Sequence, residues 1–395
     1  MELISARIRN FKSLEDVTLN FRDLTIIVGA NATGKSNCLK ALEFLKELLD
    51  RRSFPKAKII RNKYLRKNNN DLSLEINLQE KNTPINYRIN VSIDVKERDS
   101  CSLKEVLEIN GKKIIDVENN HGTIWDEDED ANNQQEYNLS INGLALEYAS
   151  VFGNKYNTSQ LYRSIVSWEF YNFDPVMLKR SSHELIKISS FFSSLDNDKN
   201  FIPEIDHDGL SIEEILCVWS DEEQDKFRAI NRELTNYLGI NIKVIKNNDK
   251  IVKVQETDGK EFNFSDLSDG SVRIIVYYIL LYQDNLPLLI CIEEPEQNFH
   301  PAMLRIIASI LKRLSQRTQV IITTHSSQLL DCFDLDDINE DTSVLLLSKP
   351  DEHGTKIFQL DQLGTEREDL TDWMRDFGVG SAVYHSNLLR ELLEP

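Results

Sequence analysis

The chain has 395 residues, 41% hydrophobic and 28% charged, the balance of a soluble globular protein with about two to three domains' worth of chain. Its net charge of −19 excludes a generic cationic coat for nucleic acid and an anionic-membrane binder, both of which need clustered positive charge. The imbalance is uneven, because residues 1–67 hold 15 basic and 7 acidic side chains. The N-terminus, MELISARIRNF, has no apolar signal core. The longest apolar run, Ile274–Tyr282, is nine residues against the ~20 that span a bilayer. Five cysteines (Cys38, Cys101, Cys217, Cys291, Cys332) form no CxxC pair, which fits reduced thiols in a cytoplasmic protein.

In chain order, Leu3–Ile8 and Val17–Phe21 alternate as strands, and Leu24–Val28 is a continuous apolar run suited to a buried strand. A glycine-rich turn follows, and Asn37–Leu49 carries leucines at helical spacing. Residues 51–67 contain eight basic side chains and no acidic one. That run is either surface charge balancing or a contact for nucleic acid or an acidic partner, with Phe54 and Tyr64 as candidates to stack on bases. Residues 72–140 alternate repeatedly between turn dipeptides, the pattern of an antiparallel meander, with Asp126–Asp130 as a solvated acidic loop. Residues 176–238 read as mostly helical, ending at Gly239, and 241–264 as strands turning at 247–249 and Asp258–Gly259. Beyond 265 the rhythm is helix 271–284, strand 287–292, helix 301–315, strand 319–323, which predicts a parallel sheet with crossover helices.

Four segments carry chemistry. Gly29-Ala30-Asn31-Ala32-Thr33-Gly34-Lys35-Ser36 matches G-x-x-x-x-G-K-S/T between a strand and a helix, the context of a phosphate-binding loop. Its glycines let N–H groups converge on phosphate oxygens, and the helix opening at Ser36 and Asn37 adds its positive end. Lys35 would reach the β- and γ-phosphates and Ser36 would ligate Mg²⁺. The run Leu288–Ile292 ends in Glu293 and Glu294, so that Glu293 would support the metal and Glu294 would activate a water. Thr323-Thr324-His325-Ser326 closes another apolar strand and would bring His325 to the γ-phosphate. In Leu267-Ser268-Asp269-Gly270-Ser271, Ser268 is an N-cap, an anion site, or both. In the tail, Leu370, Trp373, Met374 and Phe377 share one helical face, for core packing or for docking a partner.

The order of these motifs resembles ABC-type ATPases of the SMC, RecF and OLD group, in particular the short stand-alone AAA-family ATPases of bacterial genomes. The resemblance rests on IRNFKSLEDVTLNF leading into GANATGKSN, then LSDGS, IEEPEQNFHP and TTHSSQLL, and covers about 1–50 and 265–380. It implies ATP and Mg²⁺ as ligands, and LSDGS, with Ser268 and Gly270, as a signature motif that contacts ATP on the opposite subunit. It further implies Pro295–Pro301 as the D-loop and His325 as the switch histidine. Glu293 stands where Asp is more usual. Gln160 and Trp168-Glu169-Phe170 are the candidates for the Q-loop.

The expected architecture is α/β, a P-loop ABC-type ATPase domain with a mixed or parallel sheet and crossover helices, split by a β-meander and a helical insertion. Its parts are 1–50, a basic and β-rich stretch at 51–140, a mainly helical insertion at 141–240, and a C-terminal part at 241–395. The expected function is an ATP-hydrolysing switch that pairs head to tail, most often the ATPase of an anti-phage defence system acting on an effector nuclease or toxin in trans. Only 70 residues follow His325, too few for a full Toprim nuclease domain. The alternative is a RecF-like repair ATPase whose insertion binds DNA directly. The roughly 200 residues between phosphate loop and signature argue against a transporter subunit.

Overall fold

In a computed structural model of the chain, the described residues are 1–50, 55–93, 101–119, 121–127, 134–138, 143–151, 155–179, 205, 209, 211–246, 250–339, 341–349 and 354–385. They divide into two compact units. One comprises 1–170, 287–295 and 318–395, the other 171–286 and 296–317.

The first unit holds two sheets. β1 (Glu2–Phe11), β2 (Leu14–Asn20), β4 (Asp71–Glu80), β5 (Thr83–Ile93), β6 (Cys101–Ile109), β7 (Lys112–Glu118), β8 (His121–Trp125) and β9 (Gln134–Asn138) form an antiparallel sheet in the order β2-β1-β4-β5-β6-β7-β8-β9. The meander is therefore a continuation of the first two strands, since β1 pairs with both β2 and β4. The second sheet runs β10-β14-β15-β3-β16-β17, with β3 (Leu24–Gly29), β10 (Glu169–Tyr171), β14 (Leu289–Glu293), β15 (Gln319–Thr324), β16 (Thr342–Ser348) and β17 (Lys356–Gln359). Its strands β14, β15, β3 and β16 are parallel. β3 and β15 are buried at every position, as expected where crossovers cover both faces. One contiguous core joins the two sheets around the helix Lys35–Asp50. Ile8, Ile76 and Ile89 of the first sheet meet Ile27, Cys291, Ile321 and Leu345 of the second, with Cys38, Leu42 and Leu45 from the helix.

Two readings are corrected here. Tyr64 is not offered to a base: it is 3% exposed, its ring lies 4.3 Å from Phe44 and 5.8 Å from Phe11, and its hydroxyl donates to Glu47 at 3.1 Å. Burial of that ring stabilises more than exposure for a ligand would, so the segment folds as a helix, Ala57–Lys63, with Ile60 and Tyr64 inward. Phe54 lies outside the described residues, as do Asp128–Asp130. The start of the acidic run is not merely solvated. Glu127 accepts from Asn157 N at 2.9 Å and Thr158 N at 2.7 Å, satisfying the first donors of the helix Tyr156–Val166, and Asp126 pairs with the buried Lys155.

In the second unit, the helices Ile212–Asp221 and Gln224–Leu238 precede three antiparallel strands, β11 (Ile240–Lys246), β12 (Lys250–Glu256) and β13 (Glu261–Asn263). Gly239 ends the second helix at φ +66°, a left-handed cap that glycine adopts without strain. The helix Asp269–Tyr282 follows, almost wholly buried from Val272 to Leu281, and then Leu304–Ser315. Residues 180–204 of the expected helical stretch lie outside the described residues.

Candidate functional site

Parallel register brings three segments to one edge of the second sheet. Glu293 of β14 is paired with Thr323 of β15, and Thr324 with Val28 of β3. The chain therefore leaves β14, β15 and β3 at the same level, where the ligands of open parallel sheets bind. Beyond those ends lie Glu294, His325 and the loop Gly29–Ser36.

The loop is shaped by close approach. A Cβ on Gly29 would lie 2.7 Å from the carbonyl oxygen of Leu347. Gly34 has φ +111°, and a Cβ there would lie 2.6 Å from Thr355 Oγ1 and 2.8 Å from Ser13 Oγ. Neither site admits a side chain without displacement. Lys35 is 6% exposed, and its Nζ donates to the carbonyls of Gly29 at 2.8 Å and Ala30 at 3.1 Å. Those contacts fold the ammonium back over the loop. Asn37 Nδ2 donates to Ser13 Oγ at 2.8 Å, and Thr355 Oγ1 donates to the carbonyl of Thr33 at 2.7 Å. The loop is thus fastened by the β1–β2 turn and by the residue before β17.

Ser36 Oγ donates to Glu293 Oε2 at 3.4 Å, a hydroxyl and a carboxylate placed as a divalent cation with oxygen ligands requires. The donor set fits Mg²⁺. Glu294 is held at φ +44°, with its N–H donating to the carbonyl and hydroxyl oxygens of Thr323 at 3.0 and 3.3 Å. A non-glycine residue in that region is uncommon. The turn directs its Oε1 to within 3.3 Å of His325 Nδ1. A cavity of about 440 Å³ is lined by Ser13, Asn31, Ala32, Gly34, Lys35, Ser36, Asn37, Glu294 and Lys349.

The structure therefore assembles Gly29, Asn31, Gly34, Lys35, Ser36, Asn37, Glu293, Glu294 and His325 in the first unit. Ser268 and Gly270 belong to the second. There Ser268 Oγ caps the helix Asp269–Tyr282 by accepting from Ser271 N at 3.2 Å, Asp269 pairs with Lys179, and Gly270 packs against the Asn298 carbonyl and the Phe299 ring. The buried Arg273, one turn on, donates to the Gln297 carbonyl at 2.7 Å, tying this helix to the D-loop segment. Of the Q-loop candidates, Gln160 sits within the helix Tyr156–Val166, Trp168 is buried, and Glu169 pairs with Lys46 at 2.9 Å. None of them lines the cavity. Sequence reasoning missed the roles of Ser13, Lys349 and Thr355. Ser13 stands inside the quoted IRNFKSLEDV segment, whereas no local pattern marks the other two.

The model of the family described as "AAA domain, putative AbiEii toxin, Type IV TA system" matches residues 24–331, more than three quarters of the chain. The chain belongs to this AAA domain family. Among solved structures, this AAA domain protein is similar to an SMC head bound to the C-winged helix domain of ScpA, at 15% identity and TM-score 0.50, covering 92% of this chain and 100% of that one. It is also similar to the SMC head domain from Thermotoga maritima, at 13% identity and TM-score 0.47, covering 91% and 99%. The first of these likenesses supports the fold, a mixed α/β P-loop fold of the kind found in SMC heads. No curated protein matches the chain. Among the described residues, no helix is long and apolar enough to cross a membrane.

Proposed function

We propose that this AAA domain protein is an ATP-hydrolysing molecular switch. The observation that carries the reading is the convergence of Lys35, the Ser36–Glu293 contact and the Glu294–His325 contact at one edge of a parallel sheet. Backbone N–H groups of the glycine loop and Lys35 bind and orient the phosphates of ATP. Ser36 and Glu293 would hold Mg²⁺, which supplies charge neutralisation at the β- and γ-phosphates. Glu294 accepts the proton of the attacking water, and His325 stabilises charge on the γ-phosphate.

Ser268, at the N-terminus of its helix, acts on the nucleotide of a second copy, so that two chains sandwich two nucleotides and part after hydrolysis. The capped helix start, with Ser268 exposed, and the family's motif order support that reading. Mixing a Lys35→Ala chain with a Ser268→Ala chain tests it. Each mixed dimer then regains about one intact site, and ATPase activity rises above that of either variant alone. Activity no greater than the sum of the two variants rejects the composite site.

The switch works in a cytoplasmic anti-phage or toxin system and controls an effector nuclease or toxin in trans. The family description, which names a toxin and a Type IV TA system, supports that setting. A RecF-like role with direct DNA binding is the second reading. It is favoured by Lys56, Lys58, Arg61, Lys63 and Lys67, all of which expose their side chains along one short segment.

A further inference from the structure

One residue of the cavity belongs to no motif. Lys349 follows β16, on the side of β3 away from β14 and β15. Leu347 is paired in register with Gly29, so Lys349 lies two residues beyond the level at which the phosphate loop begins. It lines the same cavity as Lys35 and Glu294. β14 and β16 are three strand spacings apart, about 14 Å. Glu294 and Lys349 therefore mark the two sides of one crevice that runs across the loop.

The ammonium is exposed, and among the described residues no carboxylate pairs with it. Its position is nonetheless built. Ser348, just before it, pairs with Lys356 of β17, and Thr355 is fastened to the loop through the Thr33 and Ser13 carbonyls at 2.7 and 3.2 Å. A cation held beside a phosphate cradle by the strand adjoining that cradle has one evident electrostatic use, the attraction of an anion.

Which part of the anion it meets follows from the other side. Ser36, Glu293 and Glu294 collect where the terminal phosphate would be cleaved. The ligand must extend from there across the loop, so the Lys349 side receives the phosphate nearest the nucleoside. We infer that Lys349 is a nucleotide-binding residue that contacts the α-phosphate side of a bound nucleoside di- or triphosphate. The inference rests on the nucleotide reading of this cavity. It has a distinct signature, because ADP and ATP share the α-phosphate and only ATP carries the γ.

The experiment is calorimetric titration of ATP and of ADP, each with Mg²⁺, into the full chain and into its Lys349→Met and Lys349→Arg variants. The side chain is exposed, so neither change opens the core. Lys349→Met raises Kd by a similar factor for both nucleotides, roughly fivefold. The factor shrinks as salt is added, and Lys349→Arg restores most of the affinity. Unchanged Kd for both nucleotides in Lys349→Met overturns the inference while leaving the nucleotide site standing. A loss confined to ATP also overturns it, by moving the lysine to the γ-phosphate. A wild-type chain that binds neither nucleotide overturns the nucleotide reading and this inference together.

Discussion

Replacing Glu294 with glutamine separates two uses of one carboxylate. Glu294 Oε1 lies 3.3 Å from His325 Nδ1, and the two side chains are 33% and 50% exposed. A polar contact so open to water is worth at most about 1 kcal/mol. At about 1.4 kcal/mol per decade of rate, losing that pair alone changes turnover by at most about fivefold. Acceptance of a proton from the attacking water is worth about 10²–10⁴-fold. The amide has the shape of the carboxylate but is a far weaker base. The contacts of Lys35 to the carbonyls of Gly29 and Ala30 do not involve the exchanged carboxylate. Glu294→Gln is therefore expected to bind ATP close to the wild-type affinity while hydrolysing it at least about 100-fold more slowly. Phosphate release under single-turnover conditions, measured beside an ATP titration, reads both quantities. A rate loss of fivefold or less refutes the base assignment. Glu293→Gln would then be measured in its place.

Two other outcomes follow from charges outside the cavity. Glu105 is fully buried and accepts from Tyr87 Oη at 2.8 Å and from the N–H groups of Ala145 and Leu146, yet burial outweighs those donors and pushes its carboxyl up to about 7. With the folded value raised, this group's stabilisation is fully present below about pH 4.5 and is lost as pH rises to about 7, a change of about 3 kcal/mol. Urea unfolding of wild type and Glu105→Gln across that window checks it: the wild type loses ground against the variant as pH rises, and parallel profiles refute it. On the basic segment, neutralising Lys56, Lys58, Arg61, Lys63 and Lys67 in groups lowers the salt slope of nucleic-acid binding by about one unit per lost phosphate contact. Filter binding over a salt series decides the matter. No affinity at ~50 mM salt, or a flat salt dependence, removes nucleic acid as the partner of this segment.

The chemistry of the phosphate loop was legible in eight consecutive residues because it is backbone chemistry. Glycines at two fixed offsets permit the close approach, and the strand and helix on either side announce themselves by periodicity. The same holds for Ser268 as a helix cap and for Glu293–Glu294 at the end of an apolar strand. What tertiary structure decided depends on residues far apart in the chain. The pairing of β1 with β4 makes one sheet of segments about 60 residues apart, and period-two alternation names a strand without naming its neighbour. Tyr64 is buried because Phe11 and Phe44 happen to meet it, and a single aromatic in a basic run carries no sign of that. Lys349 and Thr355 reach the loop only because β16 lies beside β3 in register, Leu347 against Gly29. Local sequence specifies backbone conformation and the exposure of one face, whereas the partner across a strand is chosen by the packing of the whole core, where residues more than 300 positions apart compete for the same contact.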